Sequence, residues 1–149
     1  MFDVRKIEWD SPEGEFARLI RIKVFVEEQK VPIEEEIDHI DPRSIHVLAY
    51  DSKGAPMGTG RLFRDPEDPH LAHIGRMAVL APARGKGCGA AIMDMLIREA
   101  KTQGYHRIIL SSQQYATGFY EKFGFHTVGD TYLDVDIPHI DMILNLEET

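Results

Sequence analysis

Residues 82–90 read PARGKGCGA. Three glycines, Gly85, Gly87 and Gly89, alternate with other residues between an apolar run, IGRMAVL (74–80), and an amphipathic one, AAIMDMLIREAK (90–101). A glycine-rich turn between a strand and a helix is a phosphate-binding design. The helix N-terminus offers unpaired backbone N–H groups, its macrodipole favours an anion, and the missing Cβ atoms let the ligand approach. Arg84 and Lys86 add charge-assisted contacts at the rim. Gly85, Gly87 and Ala90 satisfy G-x-G-x-x-A, the dinucleotide fingerprint, but that fingerprint also needs an acid about 20 residues on, at the end of the next strand. Here the next strand ends Leu110-Ser111-Ser112-Gln113, without one. A nucleoside-triphosphate loop needs Gly-Lys followed by Ser or Thr, whereas Lys86 is followed by Gly87. Both nucleotide readings fail on content.

Outward from this loop, hydrophobic periodicity gives a chain of elements. Phe2 to Glu8 reads as a strand. Glu15 to Gln29 reads as a helix with Phe16, Leu19, Ile20 and Val24 on one face. Val31 to Arg43 is acidic, Pro-punctuated loop or short helix. His46 to Tyr50, Met57 to Phe63 and Leu71 to Leu80 read as strands. A helix follows from about Gly87 to Gln103, which Gly104 ends. Arg107 to Leu110 is a buried strand, Tyr115 to Phe123 a short helix, and Phe125 to Val128 and Ile140 to Leu146 the last strands. Hairpins first and strand–helix–strand later predict an α/β fold, one domain over residues 1–149, with a mixed, mostly antiparallel central sheet flanked by helices.

The formal net charge of −8 opposes nucleic-acid binding, which needs clustered Lys and Arg. It does not oppose one small phosphorylated ligand held by backbone N–H groups. No run approaches the ~18 apolar residues of a membrane span. MFDVRKIEWD lacks the apolar segment of a signal peptide. A single cysteine forms no intrachain disulfide, so the expected compartment is the cytoplasm.

RGKGCG (84–89) resembles the coenzyme A loop of the GNAT superfamily of N-acetyltransferases, whose pattern is Q/R-x-x-G-x-G/A. FYEKFGF (119–125) resembles a second segment of that superfamily, an aromatic pair on a short helix beside the coenzyme arm. MAVL (77–80) is similar to the strand whose backbone pairs with the acetyl-pantetheine arm. The joint resemblance covers roughly residues 72 to 128. VFVEEQ (24–29), Pro32, Glu34 to Glu36, Asp38, GTGR (58–61) and IGR (74–76) resemble a branch of bacterial GNAT proteins that is also distantly similar to acyl-homoserine lactone synthases. One departure is that many members place an asparagine after the fifth strand to hold the pantetheine. Here that stretch is Ser111-Ser112-Gln113-Gln114, which assigns no such contact.

The resemblance implies acetyl-CoA as co-substrate and direct attack of an acceptor on the thioester. It assigns CoA binding to Met77, Ala78, Val79, Arg84, Gly85, Lys86, Gly87, Cys88, Gly89, Ala90 and Phe119. Tyr120 is the matching general acid, since a phenol with a reference pKa near 10 is protonated at neutral pH. The expected acceptor is a primary amine of a small molecule, which must lose a proton before it attacks. Seven carboxylates lie between Glu27 and Asp41. Most read as a solvated acidic face, with Glu28 or its neighbour Glu27 the candidate base. Arg61 and Arg76, in otherwise apolar strands, read first as partners of buried acids and second as a grip on a substrate anion. His70 and His73 point to opposite sides of a strand, so no metal is expected, and His73 is an outside candidate for the base. Cys88 near a helix N-terminus reads as a stabilised thiolate or as a small residue that fits. Three other readings remain: a non-catalytic acyl-CoA sensor, a protein or peptide acetyltransferase, and an acyl-homoserine-lactone-synthase-like acyltransferase. Exposed strand edges near the C-terminus would suit a homodimer.

Overall fold

Val47 and Ala49 point to one side of their strand and Leu48 to the other, and this parity organises the molecule. The computed structural model describes residues 1–146. One seven-stranded sheet is built from β1 (Asp3–Ile7), β2 (Ile45–Tyr50), β3 (Pro56–Arg64), β4 (Leu71–Val79), β5 (Arg107–Gln113), β6 (His126–Asp134) and β7 (Ile137–Asn145). Its spatial order is β1-β2-β3-β4-β5-β7-β6. Every pair is antiparallel except β4 with β5. That parallel pair needs a crossover, which α3 (Cys88–Thr102) supplies.

The α3 face of the sheet carries the larger core, with Val47, Ala49, Leu62, Ala72 and Ile74 against Ile92, Met93 and Leu96. The opposite face packs Leu48 and Ala78 against Ala17, Ile20 and Val24 of the first helix. Glycine in β3 sets how close α3 can come. A Cβ on Gly58 would lie 2.8 Å from Ile92 Cδ1 and 2.9 Å from Cys88 Sγ.

The first helix begins at α1 (Pro12–Arg21), capped by Ser11, whose side chain accepts from the Gly14 N–H. It then widens into a π-helical segment, Ile22–Glu28. The buried face is Ala17, Ile20, Arg21 and Val24, which keeps Ile20 and Val24 of the face expected from sequence but not Phe16 and Leu19. Phe16 and Leu19 are 42% and 54% exposed. The buried stripe is rotated from the hydrophobic pattern because a charged residue, Arg21, and Ala17 occupy core positions. The acidic stretch contains a single turn, α2 (Ile33–Glu36), and α4 (Thr117–Glu121) is shorter than the sequence suggests. The last hairpin is longer: β6 runs on to Asp134 and β7 starts at Ile137. β6, not the C-terminal β7, is the sheet edge there.

Candidate active site

The sheet splits in its middle. β4 and β5 pair only through Leu71↔Arg107, Ala72↔Ile108 and His73↔Ile109, and then separate. Beyond His73, β4 remains paired with β3, and beyond Ile109, β5 remains paired with β7. The facing backbone edges of β4 and β5 are therefore left open to a ligand. A cleft of about 720 Å³ opens here. It is walled by Phe25 and Gln29 from the first helix, Glu35 from α2, Tyr115 and Tyr120, and the β6–β7 hairpin with Val135 and His139.

A β-bulge shapes the β4 wall. Thr59 opposes Ala78 and Arg61 opposes Gly75, so β4 carries one residue more than β3 across this stretch. Arg76 there has φ +50, in the left-handed region. Ala72 and Ile74 belong to the α3-side core while Ala78 belongs to the α1-side core. The bulge therefore exchanges the faces of the strand, and Arg76 reaches the acids of the α1 side.

Between the end of β4 and the start of α3 lies the glycine turn. Gly85 and Gly87 have φ +75 and +90, and Gly87 is the residue from which α3 starts. Those angles require glycine. The first backbone hydrogen bond into α3 runs from the Ala91 N–H to the Gly87 carbonyl. The N–H groups of Cys88, Gly89 and Ala90 thus precede the helical ladder, as an anion site needs. Phe119 packs over this terminus. Its Cζ lies 3.5 Å from where a Cβ on Gly89 would be. The two sequence motifs are therefore in contact.

Arg84 donates from Nε to the Val79 carbonyl at 2.9 Å and from Nη2 to Glu28 Oε1 at 2.5 Å. Glu28 is thus tied to the donor loop and is not among the residues lining the cleft. Cys88 is buried against β3, and burial pushes its thiol up to about 11. Burial outweighs the helix terminus, so this side chain is a packed thiol and not a thiolate.

Tyr120 lines the cleft from the α3 side, packed edge-on against Phe119 and Phe125. Burial raises its pKa above the usual phenol value, which keeps the O–H protonated. Among the described residues its hydroxyl has no hydrogen-bond partner in the protein.

The acidic stretch divides. Glu36 and Asp41 are buried with Arg21, while Asp38 is half-buried beside them. Arg21 binds Glu36 through Nε and donates from Nη1 to Asp41 at 2.7 Å. Arg61 donates to Asp38 at 2.8 Å and to Asp41 at 2.7 Å. Arg76 lies 3.2 Å from Glu36 Oε2 and 3.4 Å from Asp38 Oδ2. These three acids are not a solvated face, since they balance three arginines inside the protein. The scaffold reading of Arg61 and Arg76 is the one the geometry carries. The guanidinium partners hold Asp41 down at about 2 although burial alone would raise it. For Glu36, burial prevails and its pKa is raised.

A family model of the acetyltransferase (GNAT) domain matches residues 11–146. This chain belongs to the GNAT acetyltransferase family. It is 38% identical over 125 residues to the uncharacterised N-acetyltransferase YjcF of Bacillus subtilis strain 168, covering 83% of this chain and 86% of that one. The crystal structure of Escherichia coli ElaA superposes with a TM-score of 0.84 at 27% identity, over 96% of this chain and 99% of that one. An acyl-CoA N-acyltransferase from Pseudomonas aeruginosa superposes at 0.82 with 29% identity, over 96% and 97%. This GNAT protein is an acyl-CoA-dependent N-acyltransferase acting on an amine acceptor. Among the described residues no helix is long and apolar enough to cross a membrane.

Other GNAT residues singled out from sequence lie elsewhere. His73 bonds Asp65 at 2.7 Å and stacks on Phe63, and neither it nor Asp65 lines the cleft. His70 stacks on His106. Among the described residues no three His, Cys, Asp or Glu side chains gather as a metal site. Ser112 is buried, whereas Gln113 lines the cleft and donates to Gln29 Oε1 at 3.3 Å. Sequence reasoning missed Arg21 and His139. A charged residue in an amphipathic helix carries no sequence signal that it is buried. His139 lies in Ile-Pro-His-Ile, where no motif marks it and only the fold of the hairpin brings it to the cleft.

Proposed function

We propose that this enzyme moves an acetyl group from acetyl-CoA to a primary amine of a small molecule by direct attack. The observation that carries the reading is the split between β4 and β5. The strand that borders the split, β4, leads into the open N-terminus of α3, and the cleft in the split is lined by a half-buried, protonated Tyr120. The residues fit a CoA thioester. Gly85 to Ala90 suit its pyrophosphate, with Arg84 and Lys86 at the rim. Phe119 covers the same end. The open edge of Met77, Ala78 and Val79 suits the pantetheine amides and supplies an N–H for the oxyanion. Tyr120 donates its proton to the departing sulfur. The acidic wall of the cleft, with Glu35 and Asp134, favours a cationic amine over an anionic acceptor.

Thiol release from acetyl-CoA against a library of amines, amino acids, aminosugars and peptides tests this. Turnover with small amines is expected. Tyr120→Phe should lower kcat by about 10²-fold with acetyl-CoA affinity preserved. Silence across the whole library with tight acyl-CoA binding would make the protein a sensor. Activity on peptides alone would make it a protein acetyltransferase, and a preference for long acyl donors an acyl-homoserine-lactone-like enzyme. The β6 edge is where the homodimer expected from sequence would form, with light scattering as its measurement.

A further inference from the structure

The proposed acyl transfer needs a base for the acceptor ammonium, and Glu28 is bound to Arg84 outside the cleft lining. His139 stands inside it. On β7 it lies directly opposite Gln113 of β5 on one side and Tyr132 of β6 on the other. Ile108 and Leu110 of β5 belong to the α3-side core, as does Met142 of β7. By strand parity, Gln113 and His139 therefore point to the opposite face. Tyr120 enters from the α3 side, so the acid and this imidazole approach the split from its two faces.

The tautomer of His139 is set by its neighbour. Nδ1 lies 2.7 Å from the Ile137 carbonyl. A carbonyl can only accept, so Nδ1 carries the hydrogen and the neutral ring keeps its lone pair on Nε2. Nε2 has no hydrogen-bond partner among the described residues. The ring is also braced against Tyr132, with centroids 6.2 Å apart. Tyr132 in turn donates to Asp141 at 2.6 Å. An oriented imidazole with a free lone pair in a substrate cleft is what general-base catalysis requires.

We infer that His139 is the catalytic base that deprotonates the amine acceptor. The inference rests on the acyltransferase reading above. Nε2 takes one proton from the acceptor ammonium, leaving a neutral amine whose lone pair attacks the thioester carbon. As the tetrahedral centre collapses, the C–S bond breaks and Tyr120 gives its proton to the sulfur. The second proton on the new C–N nitrogen restores the Tyr120 phenol. The proton on His139 passes to solvent, so each turnover yields an amide, a free thiol and one proton. The charged and titratable groups that line the cleft with the ring are Glu35, Glu36, Arg76, Tyr115, Tyr120 and Asp134, and Tyr132, stacked on the ring, links it to Asp141 of its own strand.

The test is the pH profile of kcat/KM for an amine acceptor found active with the wild-type enzyme. The wild type is expected to lose activity toward acid as the base protonates. His139→Gln should fall by about 10²-fold or more and lose that acid limb, with acetyl-CoA affinity within twofold of wild type. Added imidazole should restore part of the activity of His139→Ala. A His139→Gln profile that keeps the wild-type limb, or a limb that vanishes in Glu28→Gln instead, overturns the inference while leaving the transferase reading intact. Should His139→Gln also lose acetyl-CoA binding, the imidazole series decides, and absence of rescue counts against His139. Silence of the wild-type enzyme with every acceptor overturns both.

Discussion

Val135 and Asp136 form the two-residue turn between β6 and β7, and both have positive φ, +49 and +61. A turn with both central residues left-handed suits Asn-Gly, and a β-branched valine there is strained by about 1–2 kcal/mol. Val135→Asn with Asp136→Gly is expected to raise stability by about 1 kcal/mol, read as a shift in the urea midpoint. The same strain explains why the sequence did not show this hairpin: Asp-Val-Asp-Ile carries no turn signature. Cys88 makes the opposite point. Its place in a glycine loop is legible, but only packing reveals that its thiol is buried and raised to about 11. Folded protein at neutral pH should resist iodoacetamide, and urea-unfolded protein should react fully, as intact mass would show.

Among the elements, α3 depends most on what faces it. Gly58→Ala would place a Cβ 2.8 Å from Ile92, 2.9 Å from Cys88 and 3.1 Å from the Ala78 carbonyl. Overpacking of this kind costs about 1–3 kcal/mol. The relief available is movement of the first turn of α3. The variant should therefore also bind acetyl-CoA several-fold more weakly, which calorimetry would measure. The elements with clean periodicity, such as α3 and β2, were legible from sequence, and so was the glycine turn that starts α3. The inward face of the first helix was legible only in part, at Ile20 and Val24. A hydrophobicity pattern cannot know that Arg21 goes inside, because its partners Glu36 and Asp41 lie 15 and 20 residues away. For the same reason the acids of residues 34–41 read as surface when half of their function is to neutralise buried arginines.

At the scale of the whole molecule, this ionic cluster ties α1, the acidic loop and strands β3 and β4 together, so it governs acid stability. Asp41 sits at about 2 when folded, against about 3.9 for a free carboxyl. Its contribution is complete above pH of about 4 and is lost as pH falls through about 2. His46 is buried, with Nε2 donating to the Asp41 carbonyl at 2.8 Å, and burial lowers its pKa. Its contribution is present above its unfolded value of about 6.5 and declines as pH drops below that. Glu36 opposes both, since its raised pKa favours the protonated folded form. The urea midpoint should fall from pH 7 to 5 and again from 4 to 2, and His46→Gln should flatten the first step. Asp41→Ala, which leaves Arg21, Arg61 and Arg76 sharing only Glu36 and Asp38, should cost about 3 kcal/mol or more at pH 7.

The divergence of β4 from β5 has a second consequence, unrelated to chemistry. Two lengths of strand edge lie side by side with nothing between them, and an uncovered edge is a template for another polypeptide. The first helix and the β6–β7 hairpin stand beside these edges as a fence. Warming loosens a fence sooner than a sheet. Ligand-free enzyme should therefore cloud at a lower temperature than its unfolding alone dictates, and a non-reactive CoA thioester analogue should delay the turbidity by more than it delays loss of ellipticity. A delay in turbidity with no matching delay in ellipticity would show that the analogue covers these edges.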